Sequence, residues 1–410
     1  MKILVLLISL FILQVNVLAQ IDTSKTKTTQ PNVNSKPSNN WYEKIAIRGY
    51  TQIRYNRLLE TNEDYKNEQG DKSLGKNGGI FLRRVRLIFF GNIHERIYMY
   101  IQPDLASSAS STSLHFAQIR DCYFDLAFDT KKEFRVRLGQ SKVPFGFENM
   151  QSSQNRLPLD RNDALNSAVS NERDLGAFFY WAPQKIRDRF TYLVNSGLKG
   201  SGDYGVFALG TFNGQTANKL ELNNNLHLIA RVTYPFLINQ KQIIECSLQA
   251  YHGKTTLNKD DISKGVTPVN NDLTYDDNRV AGSLVLYPQP LGIMLEYNEG
   301  TGPQYNSITN SIEQKPLKGG YATFSYQIKL KHQIIFPYCR YQFYDGGKKF
   351  ELDARSYRVR ELEAGIEWQP YKNFELVVNY TMGDRTFNDA IKRNNNQKGN
   401  LLRIQTQFNF

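Results

Sequence analysis

The sequence predicts an all-β fold: a transmembrane antiparallel β-barrel of about 16 strands with a long, inward-folded third loop. Three observations carry this. The chain opens with an export signal. From Ile45 to the end, apolar and polar residues alternate in short runs whose connections are short and long by turns. The last run finishes on Phe410, an aromatic closing a strand.

The signal comes first. Lys2 precedes the apolar run from Ile3 to Leu13, and Val17-Leu18-Ala19 stands before Gln20. That is the charged, apolar, small-residue order of a cleaved leader. No later apolar run reaches the roughly 18 residues of a membrane helix. A membrane span must then be built from strands, whose backbone groups all pair only in a closed barrel. The expected organisation is 1–19 signal peptide, 20–40 flexible periplasmic linker rich in Thr, Lys, Asn, Ser and Pro, and 41–410 barrel. The expected location is the bacterial cell outer membrane.

Composition agrees. Of 410 residues 40% are hydrophobic, and Tyr and Phe number 24 each, which suits short strands between polar loops. The formal net charge is +12, so an anionic partner is expected. Export excludes nucleic acid and leaves small anions and outer-membrane lipid. Cys122, Cys246 and Cys339 are odd in number and far apart, so they imply neither a disulfide framework nor a zinc site. The five His lie on separate segments without metal-binding spacing. No cofactor, metal or catalytic residue is expected.

The strands follow in order. Ile45, Ile47, Gly49, Thr51, Ile53 and Tyr55 share one face, and Arg48, Tyr50, Gln52, Arg54 and Asn56 the other. Next, Val85, Leu87 and Phe89 oppose Arg84 and Arg86. A lipid-facing Arg costs about 2–4 kcal/mol at the bilayer midplane, so Arg48, Arg54, Arg84 and Arg86 face the lumen. Arg83 has the wrong parity and is expected near an interface. Cys122, Phe124, Leu126 and Phe128 face lipid opposite Asp121, Tyr123 and Asp125. Phe134, Val136 and Leu138 do so opposite Arg135 and Arg137. The segment 182–203 reads as irregular. Later strands put His227, Arg231, Glu245, Glu296, Arg340, Glu361, Glu363, Glu367, Glu375 and Arg403 inward. Basic inward residues lie mostly on early strands and acidic ones on late strands, which implies a transverse field across the pore.

Connections alternate. Asn92–Glu95, Asp129–Glu133, Phe236–Lys241 and Pro370–Asn373 are short; Leu59–Gly78, Pro144–Leu175, Lys254–Asn278 and Gly302–Lys318 are long. Short periplasmic turns and long outer loops are the build of outer-membrane barrels. Pro144–Leu175, third of the outer loops once the Ser-rich connection Ser107–Ser113 is counted, is the one that can narrow the bore, since so long a loop in a compact domain is generally functional. Its basic residues are Lys142, Arg156, Arg161 and Arg173, mixed with Asp160, Asp163, Glu172 and Asp174.

Three stretches carry a family resemblance: Phe81 to Leu87, Ile119 to Tyr123, and above all Leu138-Gly139-Gln140-Ser141-Lys142-Val143-Pro144-Phe145-Gly146-Phe147-Glu148. With Arg173-Asp174-Leu175-Gly176 and Phe212-Asn213-Gly214, the sequence resembles the phosphate-selective porin O and P family over about residues 45–215. The resemblance implies a sixteen-stranded outer-membrane barrel, usually a homotrimer, with an inward-folded third loop and an arginine ladder at Arg48, Arg54, Arg84, Arg86 and Arg137. The expected function is passive diffusion of small hydrophilic solutes, leaning to anions, with phosphate-type oxyanions among them. By parity Arg135, Arg231, Arg340 and Arg403 join the pore lining. Phe410 would engage the outer-membrane assembly machinery. Two alternatives stay open. A barrel enzyme of phospholipase or protease type needs a Ser–His pair, and the nearest, Ser247 and His252, differ in parity. A surface adhesin would use loops 254–278 and 302–318.

Overall fold

The computed structural model describes residues 40–59, 79–107 and 115–410. The expected leader, residues 20–39 of the linker, and most of the loops after the first and third strands lie outside the described residues. Sixteen strands form one ring: β1 Ile45–Leu58, β2 Gly79–His94, β3 Ile97–Ser107, β4 His115–Ala127, β5 Phe134–Lys142, β6 Arg173–Trp181, β7 Phe207–Phe212, β8 His227–Ile238, β9 Gln242–His252, β10 Asn278–Leu286, β11 Leu291–Asn306, β12 Ser311–Tyr326, β13 Ile334–Gly347, β14 Ser356–Tyr371, β15 Phe374–Asn388 and β16 Asn395–Asn409. Each pairs antiparallel with the next. The ring closes where β1 pairs with β16, Tyr50 opposite Asn409 and Leu58 opposite Leu401. At this seam Gly49 and Phe410 exchange both backbone hydrogen bonds, at 2.7 and 3.0 Å. The Phe410 ring lies so close over Gly49 that a Cβ there would come within 2.6 Å of it.

The two-residue period is visible in the burial. Leu87, Phe124, Leu126, Leu138, Val232, Leu248, Phe324, Ile366 and Val378 are exposed on the outer face. Aromatic pairs gather near the short-turn end, Phe134 with Trp181 and Phe374 with Phe408, as the interfacial girdle of a membrane barrel does. No helix among the described residues is long and apolar enough to cross a membrane.

Three expectations are corrected. Gly302–Lys318 is mostly not loop: β11 and β12 run on through it, paired without a register shift from Asn306–Ser311 downward. The segment 182–203 is not irregular throughout but contains a helix, Gln184–Asn195. Pro183 precedes its first turn, Ile186, Phe190 and Leu193 bury one stripe, and Gly197 ends it with φ +68°, a left-handed stop that suits glycine. Its spacing of three and four residues was the legible helix signal.

The third correction concerns the inner face, which is not polar all round. Across β6 to β12 it carries Phe178, Tyr180, Ala208, Phe212, Ile229, Ile243, Ala281, Val285, Met294 and Tyr321, packed in one apolar cluster with Phe145, Phe147 and Leu165 of the third loop and with the helix stripe. Apolar packing fills the space between these strands, the third loop and the helix. The remaining half, β13 to β16 and β1 to β5, carries most of the inward charge.

Candidate functional site

The third loop, residues 143–172, builds the site. Its entry motif is an anchor. Phe145 and Phe147 are fully buried in the apolar half. Between them Gly146 holds φ +81° with Leu165 against it, and a Cβ there would sit 2.5 Å from Leu165 Cδ2. The Glu148 carboxylate then ties the loop to itself, accepting from Asn162 N (2.7 Å) and Asn162 Nδ2 (2.6 Å). It also receives Arg340 Nη1 of β13 at 2.7 Å. Asn162 caps the short helix Asp163–Ala168, accepting from Leu165 N.

From there the loop crosses the bore. Tyr50 Oη and Ser153 Oγ share a hydrogen bond of 2.6 Å, and Arg54 Nη2 donates to Leu159 O at 3.3 Å. Asp160 is gripped by Arg54 of β1 (3.4 Å) and by Arg403 of β16. Asp163 receives Arg385 of β15 (3.1 Å) and Lys348 of the β13–β14 loop (2.8 Å). These bonds come from one wall, β13 to β16 and β1, while Phe145 and Phe147 are fixed in the opposite half, so the loop spans the bore as a septum with a cavity above and below.

The cavity toward the long loops has a volume of about 380 Å³ and is lined by Arg83, Arg84, Arg86, Arg120, Arg156, Arg161, Lys219 and Lys348 against Asp104, Asp160, Glu172 and Glu351. Two of those arginines arrive by β-bulges. The register slips by one residue between Arg84 and Leu82, leaving Arg83 extra. It slips again between Asp121 and Ile119, leaving Arg120 extra. A bulge turns two successive side chains to one face, and both Arg83 and Arg120 are buried. The expectation that Arg83 lies at an interface is therefore corrected. Adjacent charges inside a strand, Arg83-Arg84 and Arg120-Asp121, were the available signal.

The other predicted residues are placed as follows. Arg54, Arg84, Arg86, Arg135, Arg137, Arg231, Arg340 and Arg403 point inward and are buried. Arg48 is exposed at the short-turn end, over the Phe90 ring. Arg156 and Arg161 belong to the septum. Lys142 and Arg173 are strand ends, on β5 and β6, and not loop residues. Lys142 Nζ donates to the carbonyls of Met150 (2.8 Å) and Gln151 (2.6 Å), holding the loop down.

The expected transverse field is also corrected. Most inward arginines are paired locally: Arg86 with Asp104 (2.8 Å), Arg137 with Asp125 (2.7 Å), Arg173 with Asp121 (2.9 Å), Arg231 with Glu245 (3.2 Å), Arg385 with Glu361 (2.7 Å), and Arg340 with Glu363. Burial forces the pairing, since an unpaired charge away from water is costly. Arg84 and Arg156 differ. Arg84 donates to Gln52 Oε1 at 2.7 Å, and Arg156 to the carbonyls of Pro158 and Leu159, both at 3.0 Å. Among the described residues neither has a carboxylate partner, and Arg156 Nη1 is buried without an acceptor.

Burial alone pushes the loop carboxyls up, but their neighbours win. Arg54 and Arg403 hold Asp160 far below the usual carboxylate range. Arg161, Arg120 and Arg173 hold Glu172 well below it too. Both stay ionised and anchor the septum.

Sequence reasoning missed Arg120, Arg279, Arg385, Lys199, Lys348 and Lys349 as interior cations. Arg279 and Arg385 had the right parity; Lys199, Lys348 and Lys349 reach inward from connections, where no period exists. Ser247 bonds Ser283 Oγ (2.5 Å) while His252 bonds Asn278 on the outer face (2.6 Å), so those two do not meet. Among the described residues no His, Cys, Asp and Glu group could hold a metal ion.

Residues 58–410 match the model of the family described as phosphate-selective porin O and P. The fold is similar to the outer membrane channel DcaP of Acinetobacter baumannii (TM-score 0.54, 16% identity, 89% of this chain and 97% of that one). It is similar also to the trimer form of OmpT, an outer membrane protein of Vibrio cholerae (TM-score 0.50, 8% identity, 89% and 99%). A third is Salmonella typhi OmpF, solved in complex with daunomycin (TM-score 0.51, 10% identity, 89% and 97%). No curated protein sequence matches the chain. With the closed barrel and its septum, the family match leads to one conclusion: the chain belongs to the phosphate-selective porin O and P family, and is a porin through which small solutes diffuse passively.

Proposed function

We propose that this porin works in the bacterial outer membrane as a homotrimer and passes small anions, phosphate-type oxyanions among them, in preference to cations. The observation that carries the reading is the outer cavity, where six arginines and two lysines face four carboxylates. Among the described residues Arg84 and Arg156 lack a carboxylate partner there, so their charge is available to a solute. Guanidinium is always ionised and its fork fits oxyanions. Such a site speeds permeation when it attracts the ion yet releases it. Deeper arginines are spoken for by carboxylates, so the preference is set at the entrance and is moderate. The homotrimer is supported by the family and by the trimer form of OmpT. Residues 1–19 serve as export signal and 20–40 as linker, and the Phe410 strand contacts the outer-membrane assembly machinery. The test is the reversal potential in a salt gradient across a planar bilayer. An anion-selective sign is expected, and a cation-selective sign refutes the reading.

A further inference from the structure

The connection between β6 and β7 does more than turn the chain. After its helix, Leu198 enters the apolar core and the chain reaches into the bore. Gly200 packs on the helix end, where a Cβ would lie 2.9 Å from Leu193 Cβ. Lys199 is buried and its Nζ donates to Glu367 Oε1 at 2.5 Å. Glu367 lies on β14, seven strands from β7 and eight from β6 in a ring of sixteen. Strands about 4.8 Å apart and tilted ~40° make such a ring about 30 Å across. The Lys199–Glu367 bond therefore joins opposite walls. The Lys199 ammonium also sits over the Phe336 ring of β13, 4.7 Å from its centre. Gln151 of the septum donates to Lys199 O at 2.6 Å. Asp203, on the return path, is held by Arg135 (2.9 Å) and Arg187 (2.8 Å).

This crossing divides the short-turn end of the bore, which faces the periplasm in such barrels, into two cavities. One, of about 650 Å³, lies against β1 and β13 to β16 and reaches Gln154 and Asn155 of the septum; Asn195 and Lys199 form its wall. The other, of about 780 Å³, lies beside Asp188 and Tyr192 under β8 to β13. Leu198 and Ile243 line it and belong to the apolar core above, so it leads to sealed packing.

We infer that the β6–β7 connection is a strut across the bore that shuts one half of the periplasmic opening and routes solutes out through the cavity walled by Lys199 and Asn195. The inference deepens the channel reading and rests on it for what moves. The test compares two exposed positions on the same helix, Asn195→Cys on the open side and Asp188→Cys on the sealed side. A bulky anionic methanethiosulfonate is added from the periplasmic side of a planar bilayer. The unsubstituted protein is the control, its Cys122, Cys246 and Cys339 lying on outward-facing strand positions. Labelling at Asn195→Cys is expected to cut single-channel current about twofold or more, as a bulky charge in a narrow path does. Labelling at Asp188→Cys should leave it unchanged. Equal block at both positions, or none at Asn195→Cys when mass spectrometry shows it labelled, overturns the strut and leaves the channel reading intact. A parent protein that carries no current overturns both.

Discussion

Asp160→Asn is the most informative perturbation of the septum. Asp160 is 4% exposed and lies between two guanidiniums, Arg54 at 3.4 Å and Arg403. Removing one member of a buried pair costs about 3–5 kcal/mol, because the partner charge is left in place. Here the low end applies. Arg54 keeps Gln405 Oε1 at 3.0 and 2.8 Å, and Arg403 keeps Asn379 (3.1 Å), Thr381 (3.0 Å) and Glu363 (3.4 Å). A loss of ~3 kcal/mol weakens septum docking by about a hundredfold, at 1.4 kcal/mol per factor of ten. The substitution also removes one negative charge from beside the two arginines, at the level of the septum. The expected result is a higher, noisier single-channel conductance with a reversal potential shifted further toward anions, and a lower melting temperature in detergent. An unchanged reversal potential with unchanged melting would show that Asp160 does not hold the septum. A shift toward cations would show that Arg54 and Arg403 do not face the path. The same pair sets a pH limit. The Asp160 carboxyl is depressed in the folded protein, so its contribution is fully present above the ordinary Asp value of about 3.9 and is lost as pH falls below it. Septum docking, read as single-channel noise, should therefore hold from neutral pH down to about pH 4 and loosen only in stronger acid. A transition near pH 6 would refute this anchoring.

Other outcomes follow from the same geometry. Arg84→Ala removes a cation that has no carboxylate partner among the described residues and should lower anion preference without altering melting. Arg86→Ala should lower it further, because Asp104 is left unpaired; reversal potentials that rank the two the other way contradict the pairing. Phe145→Ala empties a fully buried site between septum and wall and should cost about 3–5 kcal/mol, read as a lower unfolding midpoint with the closed barrel retained; an unchanged midpoint would mean the loop is not anchored there. Deleting Phe410 uncovers Gly49 and removes two seam hydrogen bonds, so folded barrel should drop in membrane fractions while total synthesis holds.

The sequence by itself determined the wall. A two-residue period with arginines on one face admits a single parity in lipid, since turning Arg54 or Arg84 outward costs more than burying them in a wet bore. Strand order, closure at the last strand and the alternation of short and long connections follow from local pattern and from the ban on open edges in lipid. The contents of the bore were decided only in three dimensions. That Asp160 meets Arg403, that Lys199 reaches Glu367, and that Phe178 and Ile229 pack with the third loop in one apolar cluster depend on partners far apart in the chain, and residues in connections have no period to betray their direction. The bulges at Arg83 and Arg120 stand between the two. Each shows in the sequence as a broken alternation, but only the neighbouring strand decides which way the extra side chain turns.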